Sequence, residues 1–191
     1  MEELKDYSGD VRDVIRFEDL SKDALVRLLK AYSKIFLGYM GVWDTLLREI
    51  MSAEEVSKLN LEAYLRGARY FEAPRVMEAM NIRGNDVVTL IKLLQMIPDG
   101  SREDTYLTDY DIKNNNHAIM TIKVCPTLLY WERKEDQASI DRVCSAGGIE
   151  ELTIVEYANC VNPDIKITPL KLPPRKGKDD IACQWEIKLE A

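Results

Sequence analysis

Tyr106-Leu107-Thr108-Asp109-Tyr110-Asp111-Ile112, followed across Asn114-Asn115-Asn116 by His117-Ala118-Ile119-Met120-Thr121-Ile122-Lys123-Val124, is the stretch that decides the fold. Tyr106, Thr108, Tyr110 and Ile112 alternate with Leu107, Asp109 and Asp111, and Ala118, Met120, Ile122 and Val124 share one face of the second run. A period of two with one apolar face marks a half-buried strand, and the asparagine run between the two segments predicts a hairpin. Outward from this hairpin the pattern changes on both sides.

Upstream the spacing is helical. From Leu25 to Ile50 apolar residues recur at steps of three and four, which predicts one long helix with Ser21 as its cap. Ser52 and Glu55 form a capping-box pair that predicts a second helix running to about Arg69. Pro74 suits the first turn of a short third helix ending near Asn81. After Gly84-Asn85-Asp86, Val87, Leu90, Ile91, Leu94 and Ile97 give the buried face of a fourth, stopped by the turn Pro98-Asp99-Gly100-Ser101.

Downstream, two helical segments are expected at Pro126 to Lys134 and Gly148 to Cys160. A second hairpin should follow, with Ile165, Ile167 and Pro169 on one strand, Ile181, Cys183, Trp185, Ile187 and Leu189 on the other, and a long loop from Leu172 to Asp180. This order favours an α+β fold, an N-terminal helical half packed on an antiparallel sheet of about four strands. A single domain over residues 1–191 is expected, with a loosely ordered segment 1–16, a helical part 17–98 and a sheet-containing part 102–191.

The formal net charge of -7 argues against a nucleic-acid partner, because displacing counterions needs clustered Lys and Arg. No run reaches the roughly 18 apolar residues of a spanning helix, and the start lacks a secretory signal, so a cytoplasmic protein without a membrane partner is expected. The four cysteines, Cys125, Cys144, Cys160 and Cys183, are spaced by 19, 16 and 23 residues and contain no close ligand pair. That spacing calls for neither a disulfide scaffold nor a cofactor, and leaves a metal or a bound apolar ligand open.

Chemistry-bearing candidates are few. Pro126 makes Cys125 the cap of a helix, where free N–H groups favour a thiolate; a small buried corner residue is the competing reading. The one histidine, His117, shares a strand face with Cys125, yet eight residues of straight strand separate them by roughly 26 Å. Cys144 precedes Ser145-Ala146-Gly147-Gly148, where the chain can approach a ligand closely. Tyr39, Met40 and Trp43, beside Gly38 and Gly41, either pack in the core, as their helical spacing favours, or line a pocket. Arg175, Lys176 and Lys178, on the prolyl loop, are a solvated hairpin tip or an anion contact.

His117-Ala-Ile119, Val124-Cys-Pro-Thr-Leu128, Tyr157-Ala158, Asn162-Pro163 with Ile165-Lys166, Leu170-Lys-Leu-Pro-Pro-Arg175 and Cys183-Gln-Trp-Glu186 carry a resemblance to a bacterial and archaeal family grouped as L-2-amino-thiazoline-4-carboxylic acid hydrolase-like. The resemblance runs from Phe17 onward. It implies hydrolytic opening of a small cyclic amidine or thiazoline carboxylate, with Cys125 or an acidic residue protonating the ring and Arg175 or Lys176 holding the carboxylate. The Cys-x-Trp-Glu strand is also similar, more weakly, to domains of the 4-vinyl reductase and haem-NO-binding type, which implies a module that holds an apolar or tetrapyrrole ligand without chemistry. A homodimer through the first helix is the third expectation.

Overall fold

The computed structural model of the chain describes residues 3–100, 102, 105–177 and 179–190. Helix α1 spans Lys22–Ile50 and opens on Ser21, whose hydroxyl accepts from the Ala24 N–H at 3.3 Å. Before it, the N-terminal segment is tied at Leu4, which pairs with Leu20. Helix α2, Ala53–Gly67, starts at the expected capping box of Ser52 and Glu55. It does not stop near Arg69. The backbone runs on through a π-helical segment, Ala68–Glu72, into α3, Ala73–Ala79, so Pro74 sits near the start of a continued helix.

Helix α4, Val87–Met96, is capped by the Asp86 carboxylate, and Val87, Leu90, Ile91 and Leu94 are buried on it as the spacing predicts. Strands β1, Leu107–Asn114, and β2, His117–Val124, form the expected hairpin. Helix α5, Pro126–Lys134, has Cys125 as its cap. Helix α6, Gln137–Cys144, is additional to the expected elements: α5 ends on Glu135 at φ 55 with no glycine to signal a stop, and Asp136 at once caps the next helix through the Ser139 N–H. Helix α7, Ile149–Val161, leads to β3, Ile165–Lys171, and β4, Cys183–Leu189.

The four strands form one antiparallel sheet in the order β1-β2-β4-β3. This is the α+β architecture expected from the two hairpins. Ala118, Met120 and Ile122 on β2 and Trp185 and Ile187 on β4 are buried on the face that α4 covers, while α7 packs on β3. Burying side chains of that size stabilises by about 1.5–3 kcal/mol each, so this face is the main source of cohesion.

Helix α1 departs from its expected role. Only Ala24, Ser33 and Leu47 are buried on it, whereas Tyr39 is 74% and Trp43 51% exposed, so the predicted core packing of that cluster is not found. The helix is anchored by polar contacts: Arg102 donates to Ser33 Oγ at 2.7 Å, and Asn60 of α2 donates to Asp44 at 2.7 Å. No helix among the described residues is long and apolar enough to cross a membrane.

Candidate functional site

Between α1 and the body of the protein lies a cavity of about 780 Å³. Its walls follow from helical periodicity. Helix α7 contributes Glu150, Thr153, Ile154 and Tyr157, which share one face at i, i+3, i+4 and i+7. Helix α2 contributes Ser57, Asn60 and Tyr64 at steps of three and four. Continued at those steps, the face would pass through 67 or 68 and reach 71. The extra residue of the π turn shifts the phase by one and brings Glu72 to the cavity instead, in keeping with the frequent placement of π bulges at functional sites.

Met120 and Ile122 form the sheet floor, Leu94 and Ile97 of α4 an apolar wall, and Tyr106, Tyr130 and Trp131 an aromatic one. Gly38 and Gly41 of α1 also line the space, and a Cβ built at either would meet no atom within 4 Å. They face the open cavity and bring no other backbone close.

Five carboxyl groups line this mainly apolar space; Asp44 and Asp136 stand beside Arg48 and Arg142, and the other three are Glu72, Asp99 and Glu150. Glu150 is half-buried, lines the cavity, and has no hydrogen-bond partner among the described residues. Burial, with a smaller contribution from the charge of Asp99, pushes its carboxyl up to about 7. Asp99 is raised by burial too, offset in part by its own backbone N–H and by Arg102. Its position is fixed by Gly100, where a Cβ would lie 2.6 Å from the Leu94 carbonyl oxygen and 2.8 Å from that of Ile97. Glu72 is raised by burial, although its carboxylate accepts the Tyr157 hydroxyl proton.

The cations of the cavity wall are paired with other residues of the same wall. Arg48 donates to Asp44 at 2.6 Å, and Arg142 donates to Ser139 Oγ at 2.9 Å beside the Asp136 carboxylate. The deeper cavity is therefore dominated by acidic groups and aromatic rings.

A small lobe of about 20 Å³ adjoins the cavity, sharing Ile122, Thr127, Trp131, Val143 and Glu150 with it and adding Cys125, Cys144 and Cys183. Cys125 accepts from the Leu128 N–H at 3.3 Å, as its cap position requires. Burial nevertheless outweighs the amides of the helix start. It pushes the thiol up to about 12, with the Glu150 charge adding to the effect, so Cys125 is a neutral thiol at physiological pH. Cys144 and Cys183 are raised for the same reasons. Among the described residues no group of three or more His, Cys, Asp and Glu side chains is placed to hold a metal ion.

The sequence candidates thus separate. Met40 lines the cavity, and Cys125 and Cys144 line the lobe. Tyr39 and Trp43 stand on the solvent face of α1. His117 sits at the start of β2, its Nε2 2.8 Å from Glu186 Oε1 on the adjacent strand, away from Cys125. Arg175 Nε donates to Glu132 Oε1 at 2.9 Å, and the Lys176 N–H donates to Asp180 at 2.8 Å; neither residue lines the cavity. Lys178 and Ser101 lie outside the described residues. Sequence reasoning missed Glu72, Asp99 and Glu150, because a carboxylate near a turn or in a first helical turn reads as solvated until its neighbours are known.

No curated protein and no solved structure matches the chain. The sequence model of a family of unknown function, DUF6125, matches residues 18–189, and the chain belongs to that family.

Proposed function

We propose that the protein binds a small organic cation, an amine or amidine on an apolar or aromatic body, in the cavity beneath α1. The observation that carries this reading is Glu150, a carboxyl without a hydrogen-bond partner among the described residues, facing a partly open space walled by Tyr64, Tyr106, Trp131 and Tyr157. An ionised carboxylate in such surroundings is costly alone and is relieved by a cation, and aromatic faces attract the same charge. The volume lies in the range of small-molecule sites, which run to about 1,000 Å³. A tetrapyrrole bearing propionates fits less well, since its carboxylates would meet Glu72, Asp99 and Glu150.

The test compares benzamidine with benzoate by thermal shift and calorimetric titration of the full chain. Benzamidine should bind and benzoate should not. Gly41→Phe, which places a ring in open space, should abolish binding while leaving the unfolding temperature at or above that of the parent. Equal binding of the two probes, or binding that survives Gly41→Phe, would rule the reading out.

Hydrolysis of a bound cyclic amidine is a second reading, favoured by the protonation state of Glu150. A carboxyl near 7 serves as both base and acid. With an amino-thiazoline carboxylate, Glu150 would take a proton from water as its oxygen bonds to the amidine carbon. The carbon–nitrogen π pair moves onto the nitrogen of the protonated amidine; Glu150 then returns its proton to the ring sulfur as the carbon–sulfur bond breaks, and the remaining hydroxyl proton passes to solvent as the urea carbonyl forms. Cys125, a neutral thiol beside Glu150, would be a proton donor in that scheme and not a nucleophile. Enzyme-dependent thiol release that is lost in Glu150→Gln supports turnover; absence of release with retained benzamidine binding leaves a binding module.

A further inference from the structure

Helix α1 turns its apolar stripe away from the protein it belongs to. Its inner face offers the cavity a mixed set, Leu37, Gly38, Met40, Gly41, Asp44, Thr45 and Arg48, with Val42 at its edge. Its outer face carries Leu29, Tyr32, Phe36, Tyr39, Trp43, Leu46 and Ile50, at steps that alternate strictly between three and four over three heptads; Phe36 and Leu46 also border the cavity. Leu29 is 63% and Ile50 79% exposed, and Ile35 and Val42 flank the seam at 58% and 61%. A helix whose hydrophobic side faces outward must bury it on something else.

We infer that α1 pairs with α1 of a second copy of this chain to form a homodimer. Two features select that occupant. The first is the repeat itself: a strict seven-residue period keeps a seam in register with another helix of the same period, whereas a helix lying on a membrane needs only an apolar side at 3.6 residues per turn. A second α1 supplies that partner by symmetry. The second feature is area. With about 150–250 Å² for each buried aromatic, the seam and its flanks expose on the order of 1,000 Å² per protomer. That exceeds the roughly 600 Å² of the largest patches on monomers and meets the ~800 Å² per partner of a stable interface.

Charge sets the direction. The first half of α1 carries Lys22, Asp23, Arg27, Lys30 and Lys34, and the second Asp44, Arg48 and Glu49, a net charge of +3 against −1. Antiparallel pairing brings the basic half of one protomer to the acidic half of its partner and opposes the helix dipoles. The two-fold axis then crosses near the middle of the seam, at Tyr39. Tyr39 and Trp43, which line no cavity, belong to this contact. The inference is independent of the ligand reading.

The experiment is sedimentation equilibrium of the full chain at micromolar concentration. The expected mass is twice the 22.0 kDa of one chain. Tyr39→Lys with Trp43→Lys should halve it, while Tyr70→Lys, a change to an exposed aromatic outside the seam and the cavity lining, should not. Should the double variant lose its circular dichroism, Tyr39→Cys replaces it and is expected to form an intermolecular cross-link on mild oxidation that the parent chain does not form. A monomeric parent, a dimer unaffected by the seam variants with no Tyr39→Cys cross-link, or a monomer that floats with lipid vesicles would each overturn the inference.

Discussion

At the scale of single residues, Glu150 ties stability to pH. Its carboxyl is raised, so folded and unfolded chains are both protonated below about 4.5, the unfolded chain alone ionises above that, and the folded one follows near 7. Stability therefore falls as pH rises from about 4.5 to 7 and levels off beyond. Asp99 and Glu72 act in the same direction. The carboxylates of Asp86 and Asp136, lowered by hydrogen bonds from Thr89 and Ser139, act oppositely, and their contribution is lost only in acid below 3.8. Urea unfolding at pH 5 and pH 8 should show Glu150→Gln losing less stability than the parent between the two values, by up to about 3 kcal/mol. An identical loss in both proteins would mean that Glu150 is solvated. Two glycines give a paired prediction. Gly41→Ala should stabilise by about 0.5–1 kcal/mol, since a mid-helix glycine is entropically costly and its Cβ meets nothing. Gly100→Ala should destabilise by about 1–3 kcal/mol, because three carbonyl oxygens lie within 3.0 Å of the added carbon.

At the scale of elements, what can be read in the sequence depends on whether a local rule governs. The hairpin at Asn114–Asn116, the capping box at Ser52 and the buried face of α4 follow from period and turn chemistry, and each is where the spacing puts it. The break between α2 and α3 is absent, because a π turn lets the helix continue past a proline whose missing N–H would otherwise end it. Helix α6 is hidden in the sequence because its boundary rests on a left-handed Glu135, which no residue preference marks. For α1 the period is legible but the direction of its stripe is not: an apolar stripe shows that a face will be buried without showing against what. Asp44 links α1 to α2 by accepting from Asn60, and Arg48 of the same helix holds its carboxylate in place. Asp44→Ala should speed amide exchange selectively in residues 22–50, by the equivalent of about 1–2 kcal/mol, with β2 and β4 unchanged. Uniform exchange across the molecule would show that α1 does not open on its own.

For the whole molecule, the candidate site lies between α1 and the sheet with the helices packed on it. The candidate site is the least legible part of the chain. Cys125 is a helix cap, as Pro126 signals, but a cap position says nothing of burial, and burial is what sets its thiol. Glu72, Asp99 and Glu150 come from three segments that only the tertiary fold unites. Their convergence on aromatic walls underlies the central claim, that the cavity takes a cation. Calorimetric titration of benzamidine at pH 6 and pH 8 tests it most directly. Binding that requires an ionised Glu150 should be about ten-fold tighter at pH 8, with proton release at pH 6, given a carboxyl near 7; the dependence should vanish in Glu150→Gln. The groups facing Glu150 do not supply that step, since Cys125, Cys144 and Tyr106 are raised by burial and stay neutral, while Asp99 moves Glu150 without replacing it. An affinity that is flat between the two pH values, or a preference for benzoate over benzamidine, would contradict the account.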